Sequence, residues 1–392
     1  MIETTADTIP IQSFKTPQGG PMTAYLFVPY PLDHAPSQRF RFEQYLAQLE
    51  AAGIRCRVSP LMSPAMYRIM YQRGHFFLKA AYCAKALFVR LADVWRARGC
   101  DICYVHREAF PIGPPFVERL LAWLGKPIIF DFDDAIYLPN ASAANRFVEP
   151  YKNSGKTAAI VRLSDTVVAG NPYLAAYAAH HNERVAIIPT TIDTVRYKPL
   201  ARERGPRDRV CIGWSGSRTT IAHLRLLTGV LRALHERFSI RIKVIGDRTF
   251  AIPGVPVEAQ DWDPADELKS LSDIDIGLMP LPDEEWAKGK CGLKALQYMA
   301  LGIPAVCSPV GVNTQIIQDG VNGYLASTDA EWIDRLSRLI QEESLRQRLG
   351  QAARETVEAR YSVAANAPRY IAVFRGVQAR VHSASTVMRG IA

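Results

Sequence analysis

The stretch KCGLKALQYMALGIPAV, residues 290–306, decides the fold. It reads as a buried helix over 290–301 running directly into a buried strand, IPAVCSP (303–309). Lys290, Lys294 and Gln297 follow one another at spacings of four and three and so share a helix face. Upstream lies another apolar run, IDIGLMP (274–280), and then the polar loop LPDEEWAKG. Strand, loop, helix and strand in that order describe a parallel sheet with crossover helices. Ligands bind such sheets beyond the carboxyl ends of the strands. A helix N-terminus there favours phosphate through its free N–H groups and dipole. A diphosphate on the polar face accounts for both lysines, and the Gln297 amide suits a ribose or sugar hydroxyl. The alternative is a helix whose polar side simply meets water.

The same alternation extends in both directions. Before the stretch come AYLFVPY (24–30), IRCRVSP, CDICYVH (100–106), KPIIFDF (126–132), DTVVAG (165–170) and RVAIIPT (184–190). A helix is expected over 37–53, with Ser37 as N-cap and Gly53 as stop. The pattern breaks at 191–209, rich in Pro, Arg and Asp, which reads as a linker. It restarts with VCIGWSG (210–216), a helix over 220–237, IRIKVIGD (240–247), and later GYLA (323–326). The expected organisation is a flexible tail (1–22), an α/β domain (23–190), the linker (191–209), a second α/β domain (210–360), and a segment (361–392) holding one more amphipathic helix and a polar end. At 392 residues, two cores are the natural division.

Composition narrows the function. A hydrophobic content of 48% with 22% charged residues is that of a globular chain. The N-terminus has no basic start and no apolar core of a signal peptide, and no apolar run is long enough to span a bilayer. Seven scattered cysteines suit a reducing, cytoplasmic setting, and Cys100 and Cys103 have no second pair with which to hold zinc. The net charge of +9 suits an anionic partner: a phosphorylated ligand or an anionic membrane face. Nucleic acid is not expected, because no recognised nucleic-acid motif is present. Residues 67–98 hold seven Lys or Arg against one acid, Asp93, with aromatics interleaved. That composition fits a helix at the inner face of a membrane, or an ordinary packing helix with a solvated basic face. No G-x-G-x-x-G follows the first strand of either domain, which argues against a dehydrogenase.

The order of these segments resembles the family 4 glycosyltransferases. The resemblance is carried by 290–306, by SPVGVNTQIIQDGVNGYLA (308–326), and by AGNPYL (169–174), IPTTIDTVRYKP (188–199) and IGWSGS (212–217). It implies the GT-B fold, two Rossmann-like domains with parallel sheets facing across a cleft. It also implies transfer of a sugar from a nucleotide diphosphate sugar to a hydroxyl acceptor, a glycan or a lipid-linked one, with retention and without a metal or other cofactor. Most family members carry two glutamates eight residues apart on and before the signature helix. Here those positions are Gly289 and Gln297, which leaves open a nucleotide-sugar-binding or scaffold protein, or an epimerase on the same fold.

For site residues the resemblance implies the following. The polar residue ending the strand PIIFDF faces the acceptor and the anomeric carbon; this is Asp133, with Asp131 and Asp134 as neighbours. Asp131 and Asp133 also match the D-x-D that holds a metal in the other glycosyltransferase fold, but the two-unit organisation argues against that fold. The loop PYPLDHAPSQRFR resembles the one that closes over the donor phosphates, which points to Arg39, with Arg41 close behind. The turn Gly216–Ser217–Arg218 offers N–H groups to an anion beside Lys290. His106, Arg107 and Asn171, at the ends of neighbouring strands, are expected to line the acceptor side.

Overall fold

The structure, a computed structural model, describes residues 20–70, 72, 74–138, 155–199 and 209–391, the last eight by backbone alone. Most of the expected tail (1–19) and the middle of the expected linker (200–208) lie outside the described residues.

Short apolar runs form two all-parallel sheets of six strands each. The first holds β1 (Met22–Val28), β2 (Ile54–Pro60), β3 (Ile102–His106), β4 (Ile128–Phe132), β5 (Thr166–Ala169) and β6 (Val185–Ile187), in the order β2-β1-β3-β4-β5-β6. The second holds β7 (Val210–Ser215), β8 (Ile240–Ile245), β9 (Glu258–Gln260), β10 (Ile276–Met279), β11 (Ala305–Cys307) and β12 (Gly323–Leu325), in the order β12-β11-β10-β7-β8-β9. Helices cover both faces, so β3, β4 and β5 are buried throughout and read as largely hydrophobic runs, with His106 and Asp131 as buried polar exceptions. The three-residue edge strand β9 lacks such a run and is not foreseen by the sequence.

Three expected helices differ in detail. The one over 37–53 is broken into Pro36–Arg39, a single 3-10 turn at Glu43–Tyr45, and Leu46–Ala51. Ala35, not Ser37, precedes its start, and Gly53, at φ 76°, ends it. The break has a cause: Arg39 and Arg41, two residues apart, both turn inward to buried carboxylates, which a regular exposed helix does not allow. The helix over 220–237 is divided into Ile221–Arg225 and Thr228–Arg237. The signature helix runs from Leu293 to Ala300, so Lys290 lies in the approach to it.

The chain crosses between the domains twice, side by side. Ile192 N–H donates to the Tyr361 carbonyl at 2.8 Å, and Val363 N–H to the Ile192 carbonyl at 3.1 Å. Residues 191–199 are therefore not a loose linker: Ile192 and Tyr197 belong to the second domain's core, and Arg354 donates to the carbonyls of Thr194 and Tyr197. After the second crossing the helix Val363–Ile391 packs Val363, Ala367, Tyr370, Phe374 and Val377 against β1 and β3.

Candidate functional site

The carboxyl ends of β3, β4 and β5 meet the loop that follows β10. Arg107, directly after β3, is held at φ 62°, a conformation uncommon for a residue with a side chain. From there its guanidinium reaches Asp133 (2.7 Å) and Asp134 (2.5 Å), just beyond β4. Both bonds to Asp133 fall on Oδ1, from Nε and Nη2, and Oδ2 accepts none among the described residues. Asp134 takes a second cation from the other domain, Lys290 at 3.0 Å. Burial pushes the Asp134 carboxyl up, but Lys290 and Arg107 together hold it below its usual range.

Lys290 lies over the Trp286 ring at 5.2 Å, and Lys294 over the Trp214 ring at 5.5 Å. Lys294 has no ion pair among the described residues. Burial first, and then the Lys290 ammonium, pull it down to about 8. His223, on the helix after β7, is pulled down to about 4 by burial and then by Lys294 and Lys290. Three basic side chains thus lie near one another, and of these Lys290 pairs with Asp134. The helix at Leu293 has no side-chain cap, because Gly292 sits at φ 72° with Ile316 2.2 Å from where a Cβ would stand. The result is an uncapped helix N-terminus beside Lys290 and Lys294, a place suited to an anion.

The domains touch closely beside it. Asn171 caps the helix Pro172–Ala179 through Leu174 N–H (2.8 Å) and donates to the carbonyls of Gly289 and Lys290, both at 3.0 Å. The Cys291 thiol donates to the Asp133 carbonyl at 3.2 Å. At Gly289 a Cβ would lie 2.7 Å from the Ala135 Cβ and 2.9 Å from its nitrogen. The position at which the resemblance expects a glutamate therefore has no room for one with the domains packed this way.

Several expected site residues lie elsewhere or are already engaged. Asp131 is fully buried beneath the site, where Arg41 binds both its oxygens (3.0 and 2.8 Å) and the Tyr370 hydroxyl donates at 2.9 Å. It cannot reach a reacting group. His106 is buried against Phe42, its Nδ1 3.4 Å from Asp131, and cannot touch an acceptor. Arg39 pairs across the interface with Glu267 at 2.6 Å instead of standing free for phosphate. Gln297 is buried and donates to that same Glu267 at 3.2 Å, alongside Tyr197 (2.7 Å) and Trp262 (3.1 Å). Asn171 serves the domain contact, not an open acceptor side. In the 216–218 turn, Gly216 N–H bonds Ile245 and Ser217 N–H bonds Thr220, while the exposed Arg218 pairs with Asp261 at 3.3 Å. The residues brought together are Arg107, Asp133, Asp134, Lys290 and Lys294. His223, Trp214 and Trp286 join them without a signal in the sequence; His223 lies within GWSGSRTTIAH, but no spacing singles it out. Glu267, which gathers Arg39, Gln297, Tyr197 and Trp262, is likewise not foreseen.

Residues 266–356 match the model of the family described as "Glycosyl transferases group 1". A D-inositol 3-phosphate glycosyltransferase of Nocardioides sp. is 32% identical over 95 residues, 24% of this chain. The match spans about a fifth of that relative's length. Among solved structures, sucrose-phosphate synthase from Thermosynechococcus elongatus superposes with a TM-score of 0.64 at 16% identity, over 94% of this chain and 100% of the other. Anabaena HepE, solved with UDP and glucose, superposes with a TM-score of 0.59 at 15% identity, over 91% and 99%. The likeness covers both sheets. This chain is a two-domain protein of the GT-B fold.

Proposed function

We propose that this protein is a glycosyltransferase of the family 4 type, moving a sugar from a nucleoside diphosphate sugar to an acceptor hydroxyl with retention of configuration. The observation that carries the reading is the convergence of Lys290, Lys294 and His223 at an uncapped helix N-terminus in the cleft. Such a group of donors stabilises the diphosphate as it takes the electron pair of the breaking glycosidic bond. The lysines supply the positive charge that a divalent cation would otherwise bring, so the reading needs no metal. The free Oδ2 of Asp133 accepts the hydrogen bond, and then the proton, of the attacking hydroxyl, while Arg107 fixes the carboxylate in place. HepE's complex with UDP and glucose makes uridine diphosphate sugars the donors to try first. The reading places the reaction in the cytoplasm, where the seven free cysteines stay reduced. No described helix is long and apolar enough to cross a membrane.

The buried Gln297 and the crowded Gly289 favour a second reading, a protein that binds a nucleotide sugar without transferring it. One experiment separates the two. Nucleotide sugars are screened by thermal shift, and the donor that binds is incubated with candidate glycan and lipid acceptors and followed by mass spectrometry. Transfer by the native protein, lowered about a hundredfold in Asp133→Asn with donor affinity kept, supports the enzyme. Binding with no transfer supports the second reading, and a native rate in Asp133→Asn removes that residue from the reaction.

A further inference from the structure

The helix Phe76–Ala97, on the outer side of the first domain, buries an ion pair beside Ala86, Val94 and Ala97 and leaves large aromatic side chains exposed. Its inward face carries charge. Arg90 and Asp93 are fully buried and pair at 2.9 Å; Asp93 also accepts from Tyr25 and Ser59, both at 2.7 Å, and Arg90 donates to the carbonyls of Val28 and Ala109, both at 2.7 Å. Its outward face is apolar. Phe77 is 95% exposed, Phe88 72% and Trp95 70%, with Leu91 at 45%. Positions 77, 81, 84, 88, 91 and 95 alternate four and three apart, so these side chains and the exposed Ala81 and Ala84 form one continuous stripe. An exposed apolar stripe of this length is a cost to a molecule that keeps it in water.

The charges beside the stripe have one sign. Lys79, Lys85, Arg96 and Arg98 flank it, and the segment's sole acid, Asp93, is buried. Arg98 lies over the Trp95 ring at 4.3 Å. Two copies of this face brought together would set cations against cations. A bilayer with anionic headgroups matches both features, taking the aromatics into the acyl boundary and the lysines and arginines at the phosphate level. On the helix's other flank, Tyr82, Ala86 and Val89 close an apolar cavity of about 460 Å³ with Leu61 and Met62 past the end of β2 and Pro31 past the end of β1. That cavity extends the apolar surface toward the carboxyl edge of the first sheet, the edge that carries Arg107 and Asp133.

We infer that the helix Phe76–Ala97 seats this protein on an anionic lipid surface through the Phe77–Phe88–Trp95 stripe and its basic border. The inference is independent of the sugar-transfer reading. The full chain is mixed with vesicles of phosphatidylcholine alone, or with phosphatidylglycerol added, at low and high salt, and bound protein is separated by flotation. The triple variant Phe77→Ser, Phe88→Ser, Trp95→Ser is compared; its side chains are exposed, and circular dichroism checks that it folds. The expected result is binding to the phosphatidylglycerol vesicles, weakened by salt, and lower by at least about tenfold in the triple variant. Native protein left unbound by both vesicle types overturns the inference. So does a triple variant that binds as the native protein does. A native dimer that the variant converts to monomer in the ultracentrifuge overturns it too, assigning the stripe to a second copy. UDP titrations on the same samples report on the cleft separately, so failure at the membrane and failure at the donor site remain distinct.

Discussion

Lys294 sets the electrostatics of the cleft. Its ammonium is already hard to keep charged, because burial and Lys290 bring it to about 8. Below that pH the cation is present and a diphosphate finds it ready. Above it, binding must recruit a proton, so affinity falls as pH rises, by up to about tenfold per unit until the proton no longer binds in the complex. UDP affinity measured between about pH 7 and about pH 9 is expected to drop in the native protein and to stay nearly level in Lys294→Arg, whose charge persists. A level native profile would take Lys294 out of the donor site. The acidic triplet shows how far the residue types alone reach. Asp131, Asp133 and Asp134 look interchangeable in PIIFDFDDAIY, yet β4 turns the first inward to Arg41 and releases the next two at its end. The alternation of a strand is visible in sequence; the arginine awaiting one face, 90 residues away, is not.

At the scale of elements, most strands are legible because each is a short apolar run closed by a turn, and burial on both faces demands that pattern. The strand β9 and the broken helix after β1 are not, because tertiary partners decide them. Arg39 leaves the helical path for Glu267, 228 residues away, and no local pattern announces that pair. Lys290 and Lys294 are legible for the opposite reason: two cations in and just before a segment otherwise apolar stand out in the sequence. The loop before that helix yields a test of how tightly the domains dock. With 2.7 Å to the Ala135 Cβ, the substitution Gly289→Ala overpacks the contact at a cost of about 1–3 kcal/mol. It should lower the unfolding midpoint and enlarge the radius of gyration in X-ray scattering as the domains part. Unchanged values for both would mean that the contact yields freely.

In the whole molecule, two sheets present their carboxyl edges to one another, and the chain crosses between them at Ile192 and Ser362. Side chains from both halves meet there: Arg39 with Glu267, Asp134 with Lys290, Asn171 with the loop carbonyls. Closure in this state pairs Lys290 with Asp134, so on the proposed reading a donor's phosphates would compete with Asp134 for Lys290. On the proposed reading, Lys290 and Lys294 hold a nucleoside diphosphate between the two domains. Calorimetric titration of UDP into the native protein and into the Lys290→Ala, Lys294→Ala double variant tests it most directly. Saturable binding by the native protein and at least about a hundredfold weaker binding by the double variant are expected, as two charge-assisted bonds are lost. Equal affinity in the two proteins would contradict it.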